Sequence, residues 1–131
     1  MIGIDTNVLV RYLVRDDLEQ AQAATKIIED AIEVDQIIYI NCIVLCEMVW
    51  VLDSAYDCEK SAIVSLLKKI LSAKQFEIEK KSLIWQATDD YSATKADFAD
   101  CLIGRLNSTI GCNVTYTFDK SLKNIKQFTT I

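Results

Sequence analysis

Apolar and polar positions along this chain switch repeatedly between two periods. Across residues 18–34, Ala24, Ile27, Ile28, Ala31 and Ile32 stand against Glu19, Lys26, Glu29, Asp30 and Glu33, the three-and-four spacing of a helix with one apolar face. Ile63, Leu66, Leu67, Ile70 and Leu71 repeat that spacing within 59–73. Further helices are predicted over 7–14, with Thr6 or Asn7 available as cap, over 43–56, 82–94 and 97–109, the last ended by Gly111. Between them lie short runs with strand character: 1–5, the β-branched run 36–41, 76–78, 113–118 and 127–130, with a brief helical turn near Ser121. Strands alternating with helices predict an α/β fold, a parallel sheet covered on both faces, as one domain over 1–131. Ligands of such sheets bind beyond the carboxyl ends of the strands.

Composition narrows the class. A chain of 131 residues is long enough to bury about two-thirds of its unfolded surface. Its 51% hydrophobic and 25% charged content is that of a globular protein. The first residues lack a basic stretch ahead of an apolar one, and Asp5 and Arg11 interrupt the apolar segment, so no signal peptide is expected. No apolar run reaches the ~18 residues of a membrane span, and the expected location is the cytoplasm. The five cysteines, at 42, 46, 58, 101 and 112, are odd in number and mostly within apolar sequence, as reduced core residues would be. Cys42 and Cys46 have a ligand-like spacing, but no second pair or histidine completes a zinc site.

The chain contains no histidine, yet carboxylates interrupt its apolar runs. Glu47 is the only charge in the run 42–52, and its neighbours at three and four residues are Ile43, Val44, Trp50 and Val51, so burial there would demand a cation. Asp5 follows Met1-Ile2-Gly3-Ile4, Asp100 lies between Phe98-Ala99 and Cys101-Leu102-Ile103, and Asp119 closes Val114-Thr115-Tyr116-Thr117-Phe118. Asp5 and Asp119 are expected at the carboxyl ends of strands, Glu47 just over one turn into the helix after the second strand, and Asp97 and Asp100 on one helix face. Each has a plainer reading. Asp5 and Asp97 suit helix caps, and Asp119 before Lys120-Ser121 suits a turn. A net charge of −5 argues against phosphate binding, although a bound divalent ion would offset clustered acids. Arg11, Arg15, Lys95, Arg105, Lys120 and Lys123 lie near these acids in sequence, where a solvated surface is their plainer reading; Arg11, Arg15, Lys95, Arg105 and Lys120 are the candidates for nucleic-acid contact.

Asp5-Thr6-Asn7-Val8-Leu9-Val10-Arg11-Tyr12-Leu13, Glu47 within 45–52, Asp97-Phe98-Ala99-Asp100-Cys101-Leu102-Ile103 and Thr117-Phe118-Asp119 resemble, in order and spacing, the acidic motifs of the PIN-domain ribonucleases, and among them the VapC-type toxins of bacterial toxin–antitoxin pairs. The resemblance runs essentially end to end. It implies a three-layer sandwich whose central, mostly parallel sheet has four to five strands with helices on both faces. It implies Asp5, Glu47, Asp100 and Asp119 as catalytic metal ligands, Asp97 as a frequent fifth acid, and Thr6, Asn7 and Thr117 as polar helpers. It also implies hydrolysis of RNA with Mg²⁺ or Mn²⁺, a cognate antitoxin that presents a peptide segment to the acids, and a homodimer. The all-oxygen donor set is consistent with such ions. Cys46 and Cys101 depart from the small residues common at their places.

Two other readings remain. A phosphatase with Asp5 as nucleophile would want a second acid two residues on, where Asn7 stands. A catalytically inactive module of the same fold would bind RNA or a partner without cutting.

Overall fold

A computed structural model describes residues 1–131. The α/β class is as expected, with every strand pairing parallel. The chain divides into two compact units, Met1–Cys58 with Lys69–Glu79, and Glu59–Lys68 with Lys80–Ile131.

In the first unit, strands β1 (Ile2–Gly3), β2 (Ile38–Ile40) and β3 (Phe76–Ile78) form a sheet in that order. Ile2 pairs with Ile38, and Ile38 and Ile40 with Phe76 and Ile78. Such a sheet needs helical crossovers. The chain supplies α1 (Thr6–Val14) and α2 (Leu18–Glu33) between β1 and β2, then α3 (Cys42–Ser54) and α4 (Lys60–Ser72) between β2 and β3. The helix starts are set by side chains. Asp5 accepts from the Val8 N–H at 3.0 Å, Asp17 from Gln20 at 3.0 Å and Asn41 from Val44 at 3.0 Å, so each satisfies an N–H that the helix leaves unpaired. The cap of α1 is therefore Asp5, in keeping with its plainer reading, and not Thr6 or Asn7. Leu9, Ile28, Ile38, Ile40, Leu45, Met48 and Leu52 are fully buried. Truncating one of these to Ala costs about 2–5 kcal/mol.

The second unit holds α5 (Lys81–Ala93), α6 (Phe98–Thr109), β4 (Thr115–Thr117), a single 3₁₀ turn (Lys120–Leu122) and β5 (Phe128–Thr130). Thr115 pairs with Phe128 and Thr117 with Thr130. Tyr91 meets Phe98 edge to face, with centroids 6.0 Å apart, joining α5 to α6. Lys60 donates to the carbonyls of Tyr91 (3.1 Å) and Thr94 (2.6 Å) and lies over the Tyr91 ring, fixing the C-terminal end of α5. Gly104 lets α6 approach β5, because a Cβ there would stand 2.5 Å from the Phe128 ring. Gly111, at φ +99°, turns the chain after α6.

Two expectations need correction. The run 43–56 reads as a largely buried helix, but α3 buries Cys42, Val44, Leu45, Met48, Val49 and Leu52 while Ile43, Glu47 and Trp50, one face by their spacing, are exposed. Glu47 therefore sits at a rim, and the argument that burial forces a cation on it fails. The cysteines are all free, as expected, but not all are core residues: Cys42 and Cys101 are buried, Cys46 and Cys58 half-buried, and Cys112 lies exposed beside Gly111. No helix is long and apolar enough to cross a membrane.

Candidate active site

In the first unit, β1 and β2 run side by side and each delivers the chain into a capped helix. The two helix starts thus share the carboxyl-end rim of the sheet, where the acids were expected. Asp5 caps α1 through Oδ1. The next residue, Thr6, donates from Oγ1 to Glu47 Oε1 at 2.9 Å, tying the first turn of α1 to α3. A carboxylate that receives a hydroxyl hydrogen bond is held in one rotamer, which a merely solvated Glu is not. Asn7 and Asp5 line a cavity of about 290 Å³ with Val8, Arg11, Gln20, Ala23, Ala24 and Ile27.

Arg11 bonds Gln20 (2.6 Å), Asp16 (2.8 Å) and Tyr56 (2.9 Å). The Tyr56 hydroxyl donates to Asp16 at 2.8 Å, and this bond, with the Arg11 charge, holds the Asp16 carboxyl below its ordinary range against the cost of desolvation. Arg15 donates to Thr25 at 2.9 Å. Sequence reasoning missed this network, whose partners lie up to 45 residues apart. It also missed Glu79, which accepts from the first N–H of α3 at 2.9 Å.

In the second unit, Asp97 occupies the cap position of α6, yet its side chain makes no capping bond. Asp100 follows in the first turn and is half-buried. Asp119 ends the β4 segment: its N–H donates to Thr117 Oγ1 (3.0 Å) and its Oδ1 accepts from the Ser121 N–H (2.8 Å). Thr117 thus shapes the turn that presents Asp119, and hydrogen bonding from Ser121 holds the Asp119 carboxyl below its ordinary range. Asp100 moves the other way. Desolvation, then the charges of Asp97 and Asp119, raise it, so these three acids share one electrostatic neighbourhood. The Arg105 guanidinium fork bonds Asp90 at 2.7 and 2.8 Å and Gln86 at 3.3 Å.

The nearby thiols are poor ligands as they stand. Burial, then Glu47, pushes Cys46 up to about 11, and burial, then Asp90 and Asp100, pushes Cys101 up to about 12, leaving both protonated at neutral pH. What remains is carboxylate and hydroxyl oxygen, the donor chemistry of a hard divalent cation. In neither unit do three such side chains stand close enough to cage an ion by themselves.

A model of the PIN domain matches residues 2–127. The chain belongs to the PIN-domain family. Asp5, Glu47, Asp97, Asp100 and Asp119 all lie inside the matched stretch of this PIN domain. The chain is also similar to a VapC ribonuclease of Aquifex aeolicus (strain VF5), with 25% identity over 122 residues, 93% of this chain and 90% of that protein. No solved structure matches it.

Proposed function

We propose that this PIN-domain protein is a ribonuclease that hydrolyses RNA phosphodiester bonds with Mg²⁺ or Mn²⁺, and that it is the toxin of a toxin–antitoxin pair. The observation that carries the reading is the PIN match over nearly the whole chain, with the VapC ribonuclease similarity beside it. On this reading Asp5, Asp100 and Asp119 are ligands, Asp97 adds negative charge near Asp100, and Glu47 is a ligand or orients water. Thr6 holds Glu47, Thr117 shapes the Asp119 turn, and exposed Asn7 is a polar contact for substrate or water.

When bound, the ion supplies Lewis acidity at the phosphoryl oxygen and lowers the pKa of water, so that hydrolysis needs no protein nucleophile. The chain's own part is to set charge. The crowding that raises Asp100 favours a divalent cation over an empty set of carboxylates, and each acid committed to a turn keeps one oxygen for capping and one for a ligand. Asn7 weighs against the Asp5-nucleophile phosphatase.

A cognate antitoxin and a homodimer belong to the same proposal. The exposed Ile43 and Trp50 on α3, each 69% accessible, support an apolar contact there. The apolar face of α4, with Ile63, Leu67, Ile70 and Leu71 buried, is core and offers none.

The test is incubation of purified chain with total RNA and transfer RNA in Mg²⁺ or Mn²⁺, beside EDTA and an Asp5→Asn, Asp100→Asn double variant. Cleavage lost in both controls is the expected result. Intact RNA throughout would favour the inactive binding module.

A further inference from the structure

Six basic residues stand near the acids in sequence, and the structure sorts them. Arg11, Arg15 and Arg105 are held by Asp16, Gln20, Tyr56, Thr25, Asp90 and Gln86. The Arg105 fork on half-buried Asp90 is costly to break, since it would leave that carboxylate unpaired. Lys95, Lys120 and Lys123 are different. All three are exposed, none is ion-paired, and together they line one cleft of about 650 Å³ in the second unit, with Ser92, Ser121 and Asn124. That volume lies within the ~300–1,000 Å³ of ordinary ligand sites.

The walls of the cleft are fixed by hydrogen bonds. Lys60 clamps the carbonyls of Tyr91 and Thr94, and the Thr94 hydroxyl donates to the Asp90 carbonyl at 2.7 Å and accepts from the Ala96 N–H at 3.3 Å. The opposite wall is the 3₁₀ turn capped by Asp119. Lys95 precedes Asp97 by two residues and Lys120 follows Asp119 directly, so the cleft adjoins both acids along the chain. On a protein of net charge −5, attraction for a polyanion must be local.

We propose that this cleft binds the phosphodiester backbone of a single RNA strand, with Lys95, Lys120 and Lys123 contacting phosphates and Ser92, Ser121 and Asn124 donating hydrogen bonds. The inference rests on the ribonuclease reading and names where its substrate lies. Lysine contacts of this kind carry little base preference, so the cleft sets register and affinity.

The test is fluorescence anisotropy of a short labelled poly(U) strand, in EDTA so that nothing is cut, over a range of KCl concentrations. A Lys95→Gln, Lys120→Gln, Lys123→Gln variant is compared with wild type and with a charge-matched Lys69→Gln, Lys74→Gln, Lys81→Gln variant. Single-stranded binding loses about 0.7 from its logarithmic salt slope per phosphate contact, so the cleft variant should lose about 2, with affinity at low salt at least about tenfold weaker. The control should keep both. Equal losses in the two variants, no loss in either, or displacement of the strand by poly-glutamate as readily as by unlabelled poly(U) would overturn the proposal. Binding through the three lysines by a chain that cuts no RNA in Mg²⁺ or Mn²⁺ sinks the ribonuclease reading alone. Cleavage with unchanged KM in the cleft variant sinks the cleft alone.

Discussion

Glu47 and Asp100 are both acids set among apolar neighbours in sequence, and the fold treats them oppositely. Glu47 is exposed on α3, and a threonine hydroxyl bonds it. Asp100 is half-buried at the start of α6, with desolvation and two further carboxylates opposing its charge. Apolar neighbours along a helix do not establish burial, because a residue one hundred degrees around the axis faces elsewhere. In the fold it is Asp100 that has other acids, Asp97 and Asp119, in its neighbourhood. The Thr6 hydroxyl holds Glu47 in place for its role as ligand or in orienting water.

The largest expected effect separates the two directly. Asp100→Asn should lower single-turnover RNA cleavage by more than about a hundredfold, beyond the usual loss for a partner behind a ligand. Glu47→Gln should cost less, and an equal loss would mean that Glu47 is a direct ligand. Next, Thr6→Val should cost about 10–100-fold in activity, and Thr6→Ser, which keeps the hydroxyl, should restore most of it. Equal losses in Val and Ser variants would mean that methyl packing, not the hydrogen bond, is what Thr6 supplies.

Stability contrasts the two units more gently. Gly104→Ala drives a Cβ against the Phe128 ring and should cost about 1–3 kcal/mol in denaturant unfolding, whereas Gly3→Ala meets nothing within 4 Å and should cost far less. Without divalent ions at neutral pH, Asp100→Asn should raise Tm by a few degrees at most, because an amide is spared the desolvation and repulsion that a carboxylate meets there. Glu47→Gln should not.

The smallest effect is one of pH. The Asp16 carboxyl is held below its unfolded value, so its contribution is present above about 3.9 and fades as pH falls through the lower folded value. Asp16→Asn should flatten the acid limb of a stability profile. Asp100, raised rather than lowered, acts with the opposite sign, favouring the fold as pH falls.

Much of the fold was legible because its signals are local. The helix expected over 18–34 spans Leu18–Glu33, that over 59–73 spans Lys60–Ser72, and the strand at 76–78 is unchanged. Strands expected over 36–41 and 113–118 shorten to Ile38–Ile40 and Thr115–Thr117, since ladder pairing rather than β-branching decides where a strand ends. The carboxyl-end placement of Asp5 and Asp119 was legible from strand ends followed by turn residues. The orientation of α3 was not, because a helix apolar on nearly every face has no period to read. Which of six cations were already committed was equally closed, since Arg11 finds Tyr56, and Arg105 finds Asp90, only through tertiary packing.

The central claim is that these acids hold a divalent ion, and calorimetric titration of Mn²⁺ into the purified chain tests it most directly, with Asp5→Asn and Asp100→Asn beside it. The account predicts saturable binding that weakens at least about tenfold in each variant. Wild-type protein that binds no Mn²⁺, or an Asp100→Asn variant that binds it as wild type does, would contradict the account.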